Sequence, residues 1–291
     1  MARGERPAVD LQALQRHQDE AFGTGSRPVE GARAAERFLA RVGVALRYGP
    51  TKGLPLASLY RALGGVGTDR ASLARCIALT NQLLGEGAGI EVHVVADRVT
   101  VVHRSLVPAL YALVRRGRAV DDLDGLSGPA RLALALLHQK KQVTAGDVRE
   151  RLGVRFDPRR DPAYGALGEL ARLMLVDRGP FEVPRRGIPY LSTEGYPHHL
   201  FHEVHADLAA AARGLTLASA AEILLDGYLK GAAFARVGRL AGLFKHLLSL
   251  EEVDRALRQL AAAGRLRLVG SGRDRIAVRS PASSIHPKES V

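Results

Sequence analysis

The densest run of side chains able to do chemistry in this chain is Pro197-His198-His199-Leu200-Phe201-His202-Glu203-Val204-His205. Coiled as a helix, it places His198 four residues from His202 and His202 three from His205, spacings at which two imidazoles share a metal ion. The zinc-protease pattern His-Glu-x-x-His is absent, because Ala206 stands where its second histidine belongs. The same histidines serve equally well as helix caps, phosphate contacts or exposed side chains. No metal and no cofactor is therefore assigned, and His198, His202 and His205 are the residues a metal would use.

Other chemistries are excluded more directly. The stretch Leu63-Gly64-Gly65-Val66-Gly67 lacks both the preceding strand and the following Lys-Ser/Thr of a nucleotide phosphate loop, so it reads as a linker and no nucleotide cofactor is expected. No serine sits in a nucleophile elbow. Cys76 stands alone, which rules out an internal disulfide or a thiolate metal site and fits a core residue in a reducing compartment.

What remains is charge. Lysine and arginine outnumber aspartate and glutamate by 42 to 30, a formal charge of +12, and all but six of the basic residues are arginine, whose planar fork of donors suits phosphate. A polyanionic partner follows, either nucleic acid or an anionic membrane surface. No apolar run approaches the roughly 18 residues of a membrane span, and the first residues lack the apolar stretch of a signal peptide, so the expected partner is nucleic acid and the expected compartment the cytoplasm. Alanine, glycine and arginine enriched together are also what a GC-rich genome writes. Charge therefore counts only where it clusters on an element built to bind.

Such elements recur three times as helix, short helix, longer helix and two strands, the layout of a winged helix. In the last copy, Ala221, Leu224, Leu225 and Tyr228 share a helical face over 218–229, a second helix lies near 236–245, and Ser249 with Glu252 forms a capping box opening the third. Gly264 stops that helix, and a hairpin follows with Leu266, Leu268, Ile276 and Val278 inward. The middle copy takes helices over 129–138, 144–152 and 163–175 and a wing over 176–191. The first takes helices near 33–47, 55–63 and 70–84, with Ile90, Val92 and Val94 paired to Val99 and Val101 across Ala96-Asp97-Arg98. The expected fold is mainly α with small β-hairpins (α+β): a flexible leader (1–30) with room for a short helix around Leu11 to His17, winged-helix units at 31–120, 121–206 and 207–280, and a tail (281–291).

A winged helix meets DNA with its third helix and its wing. The candidate contacts are Arg70 and Arg75 in the first unit, beside polar Thr80, Asn81 and Gln82. In the middle unit they are Arg159, Arg160, Arg172, Arg178, Arg185 and Arg186, and in the last Arg265, Arg267, Arg273 and Arg275. The last unit's third helix carries Glu251, Glu252 and Asp254, so there the wing is the expected contact and phosphate binding outweighs base readout.

Three tandem units, the segment Phe38-Leu39-Ala40-Arg41-Val42-Gly43-Val44-Ala45-Leu46 followed by Leu54-Pro55-Leu56-Ala57-Ser58-Leu59-Tyr60, and the closing Ala220-Ala221-Glu222-Ile223-Leu224-Leu225-Asp226-Gly227-Tyr228-Leu229 resemble the AlkZ/YcaQ DNA glycosylase superfamily, on its AlkZ-related branch. The resemblance spans about residues 33–280 and implies a concave basic surface that cradles duplex DNA. Its glycosylases use a Gln-x-Gln or Gln-x-Asp pair near the N-terminal unit to orient the attacking water. After the first helix this chain instead reads Tyr48-Gly49-Pro50-Thr51-Lys52-Gly53, so no catalytic residue is carried over. The expected function is a double-stranded DNA-binding protein in repair or maintenance. The alternatives are a DNA glycosylase with an altered active site and a winged-helix transcription factor or protein-interaction scaffold.

Overall fold

A computed structural model describes residues 10–23, 27–65, 69–157, 159–178 and 195–280. The chain is mainly helical with small sheets, and one element order recurs along it. Helix α1 (Leu11–Ala21) precedes the first occurrence: α2 (Ala32–Val42), β1 (Val44–Leu46), β2 (Ala57–Ser58), α3 (Leu59–Ala62), α4 (Arg70–Gly85), β3 (Gly89–Val95) and β4 (Arg98–His103). Helix α5 (Val107–Arg115) then leads to α6 (Gly128–Lys140), α7 (Ala145–Leu152), α8 (Pro162–Arg172), β5 (Val176–Asp177) and β6 (His199–Leu200). After α9 (Phe201–Val204) and α10 (Ala206–Arg213) come α11 (Leu217–Ala232), β7 (Phe234–Arg236), α12 (Val237–Leu243), α13 (Leu250–Ala262), β8 (Leu266–Val269) and β9 (Ile276–Arg279).

Strand pairing repeats as well. The strand after each first helix pairs with the hairpin's return strand, which pairs with its outgoing strand, giving β1-β4-β3 and β7-β9-β8. In the middle segment the first position shrinks to a bridge between Val143 and His198, beside Val176 paired with Leu200. The first hairpin pairs Ile90 with Val102 and Val92 with Thr100, and turns at Ala96 and Asp97, both with positive φ. That is the two-residue turn whose twist matches a right-twisted hairpin.

Several expected boundaries move for local reasons. The helix expected to reach residue 47 ends at Val42, because Gly43 takes φ 71° and returns its N–H to Leu39 O, and Val44 begins a strand. The helix expected over 55–63 keeps only α3, its first half being drawn into β2 alongside Ala45. The middle third helix stops at Arg172 rather than near 175, and Met174 has φ 49°. Of the expected middle wing over 176–191 only residues 176–178 are described, and the strand that pairs with β5 is β6 at His199–Leu200, beyond the expected end. The leader is more ordered than its glycines imply: Asp10 caps α1, and the buried Gln18 amide donates to Ala232 O at 2.7 Å.

The cores explain how the segments assemble. Leu134, Leu137, Val148, Leu167 and Leu170 form a separate core for the middle segment. The first and last segments share one, in which Ile90, Val92 and Leu110 join Leu224, Tyr228, Leu257 and Leu266. The first hairpin's tip docks on α12, with Ala96 N donating to Leu243 O at 2.9 Å and Lys245 pairing with Asp97 at 2.6 Å. Helix α11 is the common wall, lying against α2, α5 and α13. Its close approach needs glycine. A β-carbon at Gly231 would overlap Val42 Cα, and one at Gly227 would overlap the Leu106 side chain.

Gly231→Ala forces backbone against backbone, so it is expected to destabilise the fold by about 1–3 kcal/mol in urea unfolding. Gly242→Ala, on α12 with nothing near its β position, is expected to stabilise it by roughly 0.5–1 kcal/mol. Equal effects from the two would show that α11 does not depend on that approach.

Candidate functional site

The candidate arginines divide into those facing water and those turned inward. Arg70 opens α4 behind the cap Asp69, whose carboxylate accepts from Ser72 N at 2.7 Å, and Arg75 lies one turn on; both are exposed. Of the polar residues expected beside them only Gln82 faces water. Thr80 is buried and donates to Cys76 O at 2.8 Å, while buried Asn81 accepts from Arg47 at 2.6 Å. Arg159 and Arg160 are exposed ahead of α8, as is Arg172 at its end. Arg185 and Arg186 lie outside the described residues.

On the last hairpin, Arg267 and Arg273 are exposed and in no ion pair among the described residues, whereas Arg265 pairs with Asp226 and Arg275 with Asp254 at 2.7 Å. Asp226 also holds Arg279, and Asp254 holds Arg258 at 2.8 Å. Two carboxylates thus each fix two guanidinium groups to the body of the segment.

Arg178 turns inward altogether, into a cavity of about 500 Å³ between the first and middle segments. Strand β3 supplies one wall. Ile90, Val92 and Val94 point into the shared core, so alternation sends Glu91 and His93 to the opposite face, against α8. Glu91 is buried between Arg47, which it contacts directly, and Arg178 at 2.7 Å. His93 Nε2 lies 3.6 Å from the same carboxylate. Taking this charge out of water is tolerable only because cations flank it on both sides.

Three phenol rings line the cavity: Tyr48 just after β1, Tyr164 on α8 and Tyr196 ahead of β6. Arg178 stacks on Tyr196 at 4.9 Å from the ring centre, and Arg47 lies over Tyr48 at 5.6 Å. The Tyr164 hydroxyl is buried without a hydrogen-bond partner among the described residues. Both histidines are held neutral. Burial first, then Arg178, Arg172 and Arg47, push His93 down to about 4. Burial and then Arg178 push His198 down to about 4, although the Tyr196 carbonyl, 2.9 Å from its Nδ1, opposes the shift. A neutral His198 donates through Nδ1–H and leaves the Nε2 lone pair available. Aromatic faces, a stacked guanidinium and uncharged imidazoles make a chamber for a planar, polar-edged group.

Glu91 and His93 are not among the candidates the sequence offers, because β3 reads there chiefly as a hairpin strand. The signal is present all the same: Glu91-Val92-His93 puts a carboxylate and an imidazole on one face of an otherwise apolar strand. The histidine run does not form the helix its metal spacing requires. Residues 198–200 are extended, so His198 is buried beside Tyr196, while His202 borders a different cavity and His205 Nε2 lies 2.7 Å from Asp177. Among the described residues no three histidine, cysteine or acidic side chains converge on a metal position. No described helix is long and apolar enough to cross a membrane.

No protein-family model matches the chain, and no curated protein matches its sequence. Among solved structures it aligns with the Streptomyces sahachiroi DNA glycosylase AlkZ at a TM-score of 0.56 and 13% identity, covering 94% of this chain and 71% of that one. The two share a fold, in agreement with the resemblance noted in the sequence.

The cavity has a pH signature. His198 carries a folded-state value of about 4 against 6.5 unfolded, so the unfolded chain binds the extra proton between them. Its contribution is complete above pH 6.5 and is lost as pH falls toward 4, to the order of 3 kcal/mol. His93 acts in the same direction with less weight, being more exposed. Urea midpoints are expected to fall between pH 7 and 5, and His198→Asn to flatten that slope. An unchanged slope would place His198 in water.

Proposed function

We propose that this chain binds double-stranded DNA in a repair or maintenance role. In this reading its three helix-and-hairpin segments are tandem winged-helix units, with boundaries near 31–120, 121–206 and 207–280. The observation that carries it is where uncompensated charge sits. Arg70, Arg75 and Arg172 on third helices, Arg159 and Arg160 before one of them, and Arg267 and Arg273 on the last hairpin are all exposed and in no ion pair among the described residues, Arg75 acting on Asp69 only at longer range. These are the elements a winged helix turns to the duplex. Arg178, Arg265 and Arg275 are tied to carboxylates, so they contribute field and position rather than free charge. Arg185 and Arg186 remain candidates in the middle wing.

Phosphate contact is the main source of affinity here, because the third helix of the last unit opens with Glu251 and Glu252 and would be repelled by a deep groove approach. The fold shared with a protein named as a DNA glycosylase supports the repair context. The lack of a candidate membrane helix among the described residues is compatible with a cytoplasmic protein.

A second reading, a DNA glycosylase with an altered site, draws on the aromatic cavity beside Tyr48, where the segment after the first helix would carry the water-orienting pair. Arg47 there is locked to Glu91 and Asn81, so such an enzyme would need a different water-activating group.

Fluorescence anisotropy across a salt series with intact duplex, single strand and alkylated duplex tests both. Duplex binding is expected to weaken steeply with salt. Arg267→Glu with Arg273→Glu should reduce the slope of log K against log salt by about 0.9 for each phosphate the variant no longer neutralises. Binding indifferent to salt would overturn the proposal. Alkali-labile cleavage of the alkylated strand would establish the second reading in its place.

A further inference from the structure

A cavity of about 870 Å³ belongs to none of these elements. It lies between α5, the segment that follows it, and α9 with α10. Small side chains, among them Ala112, Ala206, Ala209 and Ala212, line its body, and Arg115 and Arg213 supply its charge. Its size is that of a small-molecule site.

Arg115 is the anomaly. It is 3% exposed, yet no carboxylate lies within ion-pair distance among the described residues. Its terminal nitrogens reach only backbone carbonyls, those of Leu173 and Arg118 at 3.4 Å and that of Ala119. Its Nε is buried with no hydrogen-bond partner among the described residues. The neighbouring cations differ. Arg116 is held by Glu252 at 3.0 Å and Arg118 by Asp122 at 2.7 Å, so each is neutralised locally. Arg213 is exposed and in no ion pair among the described residues, and both Arg115 and Arg213 act electrostatically on Tyr111, which borders the same cavity. Carbonyl dipoles orient a buried guanidinium, and the one carboxylate that acts on it, Asp122, does so beyond ion-pair distance and is already held by Arg118, so the charge is only partly compensated in a low-dielectric setting.

We propose that this cavity binds a small organic anion, its phosphate or carboxylate group meeting Arg115 and Arg213 and its apolar body resting on the alanine-lined wall. The missing close counter-ion, the orphan Nε–H and the room beside them are then filled by one ligand. Because Arg115 also holds Leu173 O at the end of α8, an occupied site would brace α5 against the middle segment.

The test uses ¹⁵N-labelled full-length chain titrated with phenyl phosphate, with phenol as the neutral counterpart, followed through the arginine Nε–H signals. A saturable shift of the Arg115 signal with phenyl phosphate and none with phenol is expected. Arg213→Ala should weaken binding roughly tenfold, the loss of one hydrogen bond to a charged group. Arg115→Gln risks the fold, so Ala206→Phe, which fills the cavity from an exposed helix start, is the second variant and should abolish the shift. No saturable shift, equal response to phenol, or unchanged binding by Ala206→Phe would overturn the proposal. So would displacement of the probe by duplex DNA, which would make the arginines part of a nucleic-acid surface.

Discussion

Helix α11 lies so close to its neighbours that a methyl group at two of its positions would not fit, and the arrangement of the first and last segments follows from that. Gly227 and Gly231 are one turn apart on the face that meets Val42, Gly43 and Leu106. At Gly43 the backbone also takes a positive φ, so the glycine that ends α2 is the one that lets Gly227 O approach, and both constraints fall on one residue. With the backbones in contact, Tyr228 is carried into the core and its hydroxyl reaches Pro55 O at 2.5 Å, tying the helix to the chain ahead of α3. Burial raises that phenol well above its usual range, so it stays a donor under all ordinary conditions. The first hairpin can then rest its tip on α12.

The middle segment is attached by different physics. It has a core of its own, Met174 and Phe201 reach the shared one, and its contact with the first segment also runs through the buried ions Arg47, Glu91 and Arg178. Apolar residues of similar volume would hold two surfaces together as well or better, but tolerate many orientations. A buried carboxylate between two guanidinium groups, one of them stacked on Tyr196, permits few. The joint is therefore directional, and the aromatic cavity beside it keeps its shape because its charged wall cannot slide without exposing an unpaired ion.

How much of this is legible in the sequence follows the range of the interactions involved. The cap at Ser249 and the apolar face of α13 are local and stand as their residue types imply. The same is true of the helix-and-hairpin order, since periodicity needs only neighbours. The first hairpin, by contrast, is one residue out of the expected register: Ile90 and Val92 face Val102 and Thr100, and Val101 stands opposite Glu91. What escapes is non-local. Residues 44–46 carry no helix-breaking residue beyond Gly43, and it is pairing with β4 that makes them a strand. Gln18 looks like a solvent residue until Ala232 O meets it. Whether an arginine faces water or a carboxylate depends on acids far away in the chain: Arg178 on Glu91, Arg265 on Asp226. Basic residue type is readable; orientation is not.

The cavity next to Tyr48 bears on what chemistry the shared fold retains in this chain. Orienting a water for attack on a glycosidic carbon needs side chains that both donate and accept, as a paired Gln-x-Gln does. Here the position after β1 holds a guanidinium, which only donates, and it is already committed to Glu91 and Asn81. The one carboxylate in contact with that guanidinium is clamped between two cations. The neutral imidazoles of His93 and His198 remain as acceptors, and Arg178 acts to disfavour the imidazolium that either would become. At this site, then, the guanidinium, its clamped carboxylate and the neutral imidazoles are held by one another, and the electrostatics of the cavity are set by Arg178.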